Sequence, residues 1–255
     1  SLLVNASTWG LLLTGKILQT NSPQTEQNVL DKLVNKMGEP VVRKAMYAAM
    51  QIMGKQFVLG RSIEEALKSS RKQREEGYTH SYDMLGEAAL TEDDAKRYFN
   101  AYSAAIKSIG GEKLKGDHPA PPTISIKLSA LHPRYEVANE DRVLDEMYER
   151  VKALIDLARG LDVGISIDAE EMDRLELSLS LFEKLYRSPS SKGWGNLGLV
   201  VQTYSKRALP VLMWITQMAK EQGDLIPVRL VKGAYWDSEI KWSQEMGITG
   251  YPVFN

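Results

Sequence analysis

Cysteine is absent from this 255-residue sequence, so disulfides, thiolate nucleophiles and cysteine-ligated metals are excluded. Histidine is scarce as well. The three histidines, His80, His118 and His132, are far apart and lack the paired spacing of a zinc-binding motif. The two shortages together argue against thiol chemistry and against a zinc enzyme.

A hydrophobic run long enough to cross a membrane is also missing. The most apolar stretch, residues 208–219, is about a dozen residues long, whereas a bilayer requires roughly 20. The first ten residues, SLLVNASTWG, have no basic region of the kind that begins a signal peptide. We therefore expect a protein of the cytoplasm or of an organelle matrix, for which peripheral contact with the inner membrane is still compatible.

Neither sign of charge dominates the sequence. The 32 basic and 33 acidic side chains give a formal net charge of −1. A chain with this balance has no overall field that attracts nucleic acid, so we expect no nucleic-acid contact for this segment. The hydrophobic and charged fractions, 43% and 25%, are those of an ordinary globular protein.

The first 75 residues show helical spacing only. Apolar residues recur every three or four positions in residues 27–37 and again in residues 42–53. Ser62 and Glu65 have the spacing of a capping box, in which the serine accepts from the Glu65 amide and the glutamate reaches back. We predict an all-helical subdomain or arm over residues 1–75.

From residue 76 onward the pattern is that of alternating strands and helices. Five short apolar runs, each followed by an amphipathic helical segment, cover residues 82–85, 123–128, 163–167, 197–201 and 227–231. Strand-then-helix units of about 30 to 40 residues predict a parallel sheet with right-handed crossovers. Residues 76–255 are therefore predicted to form an α/β domain.

Two α/β architectures share this alternation. A doubly wound dinucleotide fold has the pattern G-x-G-x-x-G after its first strand, whereas residues 86–90 here read GEAAL. A (β/α)8 barrel of the TIM type instead has its chemistry at the carboxyl ends of several strands. We predict the barrel, with five of its eight units present in this chain.

Each predicted strand ends in polar residues, which is what a barrel with a site at its rim requires. Alternation puts Lys127 on the strand face opposite Ile124 and Ile126. The residues that would meet at the rim are Asp83, Glu87, Lys127, Asp168, Glu170, Gln202, Arg229 and Lys232. Taken singly, each of these residues is equally compatible with a surface position or, for the acids, with the N-terminus of a helix. Lys127 and Asp168 are also compatible with an ion pair that neutralises the barrel interior. The convergence of five strands is what indicates a site.

Five segments stand out as an ordered set: YDMLGEAA from residue 82, ISIKLSALHPRY from 124, IDAEE from 167, VQ from 201 and RLVKGAYWD from 229. In their order and spacing they resemble the proline dehydrogenase domain of the proline utilisation A family. Residues 9–15 and 62–77 resemble the helical region that precedes this domain. The resemblance therefore extends over essentially the whole chain.

The resemblance implies an enzyme that holds FAD non-covalently and oxidises L-proline to Δ1-pyrroline-5-carboxylate, with hydride transfer from proline C5 to flavin N5. It also implies a membrane quinone as the electron acceptor and a pyrroline-5-carboxylate (aldehyde) dehydrogenase domain in the same polypeptide. We expect a homo-oligomer. In the family, three further strands and a pair of adjacent arginines for the substrate carboxylate follow the segment seen here.

The resemblance also implies three groups of site residues. Those expected to act in catalysis are Arg229, Lys127 and Asp168. Those expected to contact the cofactor are Gln202, Arg229, Lys232, Gly233, Ala234 and Trp236. Those expected to contact the substrate are Lys127, Tyr235 and Asp83, with Glu87 on the same rim.

Physical chemistry is compatible with these roles. A fixed guanidinium at Arg229 stabilises negative charge that arrives on a flavin, and it stays charged when desolvated. Gln202 offers a donor and an acceptor to the ring edge. Gly233 has no Cβ, so backbone can approach a ligand closely. Lys127 facing a carboxylate would orient proline rather than act as an acid or base.

Two other classes of function remain open from the residues alone. One is a Schiff-base aldolase or lyase on the same barrel, with Lys127 or Lys232 as the nucleophile. The other is a non-catalytic fragment, in which the first 75 residues serve for dimerisation or for docking to another domain.

Overall fold

The computed structural model describes residues 39–112 and 120–254, and the helix predicted at residues 27–37 lies outside these ranges. The chain divides into two compact units, residues 1–69 and 70–255. The sequence-based boundary at residue 75 stays a prediction. Within the two described ranges, none of the helices combines the length and the apolar character needed to span a membrane.

The first unit is helical where it is described. It contains α1 (Glu39–Phe57) and the beginning of α2 (Ile63–Glu75), as the apolar spacing predicts. Ser62 Oγ accepts from the Glu65 amide at 3.3 Å, and the Glu65 carboxylate accepts from the amide of Arg61 at 3.0 Å. Glu65 therefore reaches back one residue farther than a capping box requires.

The second unit is a sheet of five parallel strands, each followed by a helix. In chain order the elements are β1 (Ser81–Asp83), α3 (Glu92–Gly111), β2 (Thr123–Ile126), α4 (Glu140–Gly160), β3 (Gly164–Ile167), α5 (Leu175–Tyr186), β4 (Leu197–Gln202), α6 (Ala208–Gln222), β5 (Val228–Val231) and α7 (Trp236–Glu245). The strands lie side by side in the order in which they occur in the sequence. This arrangement confirms the predicted barrel-type α/β architecture for its first five units.

The two faces of the sheet differ in chemistry because strand side chains alternate. The register pairs Ile124 with Ile165 and Ile126 with Ile167, and all four isoleucines are buried. Polar side chains, beginning with Ser125, occupy the opposite face. The sequence pattern predicts this division, with the apolar face under the helices.

A layer of helices supplies the other half of the core. Helix α4 packs between α3 and α5. Its buried stripe has the spacing of one helix face and consists of Val143, Met147, Val151, Leu154 and Ile155. Burying this stripe against the sheet fixes the strands, and with them the strand ends.

The edge of the sheet formed by β5 is exposed. On β5, Val228 is 37% and Leu230 is 58% exposed, and Leu209, Met213 and Trp242 on neighbouring helices are exposed as well. An apolar parallel edge of this kind is the surface on which the next strand–helix unit of a barrel pairs.

The N-terminus of α3 is closed by reciprocal hydrogen bonds. Thr91 Oγ1 accepts from the Asp94 amide at 3.1 Å, and Asp94 Oδ2 accepts from the Thr91 amide at 3.1 Å. These bonds satisfy amides that have no partner inside the helix.

Replacing Thr91 by alanine should therefore lower the free energy of unfolding by about 1 kcal/mol, which urea denaturation followed by far-ultraviolet circular dichroism measures. Thr216→Ala is the matched control. Thr216 Oγ1 donates to the Leu212 carbonyl inside α6, and its loss should change stability by less than about 0.5 kcal/mol. Equal losses for both variants would contradict a specific contribution of the cap.

Candidate active site at the carboxyl ends of the strands

A cluster of alternating charges lies on the polar face of the sheet, at the strand ends. Asp168, directly after β3, is its centre: Oδ2 accepts from Lys127 Nζ at 2.8 Å and Oδ1 accepts from Arg229 Nη2 at 3.0 Å. Lys127 also donates to Asp83 Oδ1 at 3.3 Å. The structure thus brings together Lys127, Asp168 and Arg229 and also Asp83, and all four are predicted at this rim from the sequence.

Arg229 shows how strongly the sheet is curled. From β5 its Nη1 donates to Ser125 Oγ on β2 at 2.9 Å and approaches Ser81 Oγ on β1 at 3.4 Å. Strands β3 and β4 lie between, so only a curled sheet allows this reach. The Nε of Arg229 is buried and, among the residues that the structure describes, has no hydrogen-bond partner.

Lys127 is held as a cation in spite of its burial. Desolvation alone lowers the pKa of a lysine, but the hydrogen bond and charge of Asp168, followed by those of Asp83, raise the pKa of Lys127 above its usual value. A lysine nucleophile must lose its proton before it attacks a carbonyl. The geometry therefore disfavours the Schiff-base alternative at Lys127.

Two buried side chains behind the cluster fix the strand ends. The Tyr102 hydroxyl on α3 accepts from the Lys127 backbone amide at 3.1 Å, and burial raises the pKa of Tyr102 to about 12. Glu170 Oε1 accepts from the Ser129 amide at 3.0 Å, and burial raises the pKa of Glu170 as well. These contacts hold the turns after β2 and β3 in place.

A second, uncharged network joins the end of β4 to the loop after β5. Gln202 Nε2 donates to the Glu170 carbonyl oxygen at 2.8 Å, whereas Oε1 accepts from the Tyr204 hydroxyl at 2.9 Å and from the Ala234 amide at 3.2 Å. The Tyr204 hydroxyl in turn accepts from the Tyr235 amide at 3.2 Å. Gln202 is therefore hydrogen-bonded to the loop for which the family resemblance implies contact with the cofactor.

One open cleft connects the two networks. Asp168 and Gln202 both line it, but its remaining walls come mainly from the first turns of α5 and α6, including Arg174 and Arg207. The cleft thus extends away from Lys127 and Arg229. The charged cluster, rather than the cleft, is the better marker of a reaction site because the cationic groups converge there.

The structure corrects two physical reasons given for the predicted residues. Gly233 has a φ of +122°, and a Cβ there would lie 1.7 Å from Tyr204 Cε1. Glycine is therefore required here by the Tyr204 ring, and the close approach to a ligand stays a prediction. For Gln202, both lone pairs of Oε1 are occupied, so its amide has a donor left for a ligand but no acceptor.

The remaining predicted site residues have different surroundings. The Tyr235 hydroxyl is directed at Glu87 Oε2 at 3.4 Å. Trp236 Nε1 donates to the Phe254 carbonyl oxygen at 2.8 Å, so the ring edge faces the segment after α7. Lys232 is exposed, and its carbonyl oxygen accepts from the Tyr204 amide. The roles of these residues stay predictions.

Sequence reasoning missed two contributors to the site. Ser81 lies two residues before Asp83 and thus on the same strand face, which was a usable signal. Tyr204 gave none, because it lies in a turn beyond β4 where no periodicity applies.

Comparison with family models gives two matches. Residues 66–255 match the model described as proline dehydrogenase, and residues 1–57 match the model described as the DNA-binding domain of proline dehydrogenase. The second match contradicts the expectation of no nucleic-acid contact for this segment. Residues 1–57 hold six basic and three acidic side chains, an excess of positive charge that the net charge of the whole chain conceals.

Among individual proteins, the chain is similar to members of the proline utilization A group. The chain is 51% identical over 254 residues to the Bifunctional protein PutA of Klebsiella aerogenes, covering all of this chain and 19% of that protein. It matches a solved structure of Bradyrhizobium japonicum proline utilization A with a TM-score of 0.75 at 46% identity, covering 88% of this chain and 23% of that one. For proline utilization A of Bdellovibrio bacteriovorus, inactivated by N-propargylglycine, the TM-score is 0.78 at 27% identity, covering 94% and 26%. The chain thus spans about a fifth of the length of its curated relatives.

Proposed function

Because the chain belongs to the proline dehydrogenase family, we propose that it forms the first five strand–helix units of a domain that oxidises L-proline to Δ1-pyrroline-5-carboxylate. The observation that carries the proposal is the network of Lys127, Asp168 and Arg229 at one rim of the sheet. Two fixed cations around one partly buried carboxylate suit a substrate that carries a carboxylate and a reaction in which negative charge accumulates.

Lys127 is the group that binds and orients the substrate. Its ammonium has three hydrogens, and Asp168 and Asp83 engage it at 2.8 and 3.3 Å. Asp83 is 51% exposed, so it can yield to an incoming carboxylate while Asp168 keeps the lysine in place. A carboxylate fixed in this way restricts which carbon of the proline ring faces the reaction centre.

We further propose FAD as the cofactor at this rim, and the residues present fit it. Arg229 has a buried Nε with no partner within the described part of the chain, and Gln202 has one amide hydrogen to spare, so both offer donors to the acceptor-rich edge of a flavin. Arg229, Gln202 and the loop of residues 232–234 would hold the cofactor, with Trp236 beside it. When bound, FAD supplies the acceptor for the hydride removed from proline C5.

The rest of the proposal concerns the longer polypeptide. Its relatives carry the name Bifunctional protein PutA, which supports a pyrroline-5-carboxylate dehydrogenase domain elsewhere in the same chain. A quinone as electron acceptor, homo-oligomer formation and a cytoplasmic location with peripheral contact at the inner membrane complete the proposal. The match of residues 1–57 supports a DNA-binding role for that segment.

An absorbance spectrum of the purified full-length parent protein tests the reaction and the cofactor together. We expect a flavin band near about 450 nm that bleaches when L-proline is added anaerobically and persists when D-proline is added. A parent protein without flavin, or a flavin band that L-proline leaves unchanged, would refute the proposal. Borohydride with a carbonyl substrate would give a covalent adduct only for the aldolase alternative.

A further inference from the structure

Tyr204 occupies a junction between β4 and the loop after β5. Its side chain is 7% exposed. The hydroxyl contacts Gln202 Oε1 at 2.9 Å and the Tyr235 amide at 3.2 Å. Its backbone amide donates to the Lys232 carbonyl oxygen at 3.1 Å, and its own carbonyl oxygen accepts from the Phe254 amide at 2.8 Å. One residue thus contacts both Gln202 and the loop.

The polarity of this network is fixed by backbone groups. The Ala234 amide can only donate and the Glu170 carbonyl can only accept, so Oε1 of Gln202 must face Ala234 and Nε2 must face Glu170. The Tyr235 amide donates to the Tyr204 hydroxyl, which leaves the phenol hydrogen to be donated to Gln202. Because burial raises the pKa of Tyr204, this hydrogen stays in place at neutral pH.

The ring of Tyr204 fixes the loop by shape as well. A Cβ at Gly233 would come within 1.7 Å of Tyr204 Cε1 and 2.2 Å of Cδ1. The ring therefore lies directly against the Gly233 backbone, whose φ of +122° suits glycine alone. The Tyr204 side chain thus contacts Gly233 by packing and the Tyr235 amide by a hydrogen bond, and its partner Gln202 binds the Ala234 amide between them.

We propose that Tyr204 is a positioning residue for the cofactor: it holds the Gln202 amide with its N–H toward an acceptor of the bound flavin, and it fixes the loop of residues 232–235. This inference rests on the proposed function. Tyr204 acts through Gln202 and the loop, so its loss should weaken cofactor binding and leave substrate orientation by Lys127 and Asp168 unaffected.

Tyr204→Phe in the full-length parent removes only the hydroxyl group and keeps the ring that packs on Gly233. We expect the dissociation constant of FAD, from quenching of flavin fluorescence during titration of the apoprotein, to rise about five- to twentyfold, because two hydrogen bonds are lost. The KM for proline should change less than about twofold. Tyr186→Phe is the matched control, since Tyr186 is buried at the end of α5, and its FAD affinity should equal that of the unaltered protein.

Hydrogen exchange of the apoprotein gives a second, cofactor-free readout. Amides of residues 233–236 should exchange faster in Tyr204→Phe than in Tyr186→Phe, because the Tyr235 amide loses its acceptor. An unchanged FAD dissociation constant would overturn the inference, and so would a general loss of stability without faster exchange in this loop. If proline still bleaches the flavin of the unaltered protein, such a result rejects the role of Tyr204 and leaves the proposed reaction intact.

Discussion

Replacing Arg229 by methionine should lower kcat/KM for proline oxidation by about 10²- to 10³-fold, the range for losing a preorganised charge at a reaction centre. Methionine keeps much of the side-chain volume but removes the donors to Ser125 and Asp168. It also removes the only cation that β5 directs into the charged cluster within the described ranges. Steady-state kinetics of the full-length parent with a soluble electron acceptor measure the effect.

One further variant separates charge from geometry in this prediction, and another is a matched control. Arg229→Lys keeps the charge but not the two-pronged guanidinium. Its kcat/KM should therefore lie between that of Arg229→Met and that of the unaltered protein. Arg187→Met removes an exposed arginine that pairs with Glu183 and Glu221. Its kcat/KM should stay within about twofold of that of the unaltered protein. If Arg229→Met retained more than about a fifth of normal kcat/KM, the assigned role of Arg229 would be wrong.

Replacing Asp168 by alanine should damage both stability and activity. Its side chain is 14% exposed and bonds Lys127 and Arg229 at once, so alanine leaves two neighbouring cations without their shared counter-charge. Removing one partner of a buried pair costs about 3–5 kcal/mol. We expect about 2–3 kcal/mol in the free energy of unfolding, because Arg229 is partly exposed, and a loss of about 10²-fold in kcat/KM. Urea denaturation and steady-state kinetics provide the two measurements.

The matched control is Asp156→Ala on α4. Asp156 pairs with Lys152 at 2.8 Å and also accepts from Ser190, but its side chain is about half exposed, so its loss should cost less than about 1 kcal/mol. In the double variant Asp168→Ala with Lys127→Met, the free energy of unfolding should fall by clearly less than the sum of the falls in the two single variants. The reason is that Lys127→Met removes one of the two cations that Asp168→Ala leaves without a counter-charge. Strict additivity would show that Asp168 and Lys127 do not act as a unit.

The sheet and the charged cluster could be predicted from the sequence because both depend on short-range periodicity. Ile124 and Ile126 alternate with Ser125 and Lys127, and this alternation determines which side chains meet helices and which meet the rim. The carboxyl ends of parallel strands lie on one edge, so Lys127, Asp168 and Arg229 had to be close once the strands were identified.

The uncharged network could not be predicted in the same way. The orientation of the Gln202 amide depends on backbone groups of Glu170 and Ala234, which lie 32 residues away on either side. The need for glycine at position 233 depends on a ring that approaches it from a separate turn. The prediction of no nucleic-acid contact, which the match of residues 1–57 to a DNA-binding domain contradicts, was based on the net charge of the whole chain. A net charge carries no information about where along the chain the charges lie.

The link from Arg229 to Ser81 spans 148 positions of the sequence, and this separation bears on how the protein is made. A ribosome that works from the amino terminus completes β1, β2 and β3 well before β5 emerges, so Lys127 and Asp168 can pair early while their arginine partner is still unsynthesised. The last member of the cluster arrives only when most of the second unit has been translated. Nascent chains that end before Arg229 should therefore have an incomplete site, however well their helices have formed.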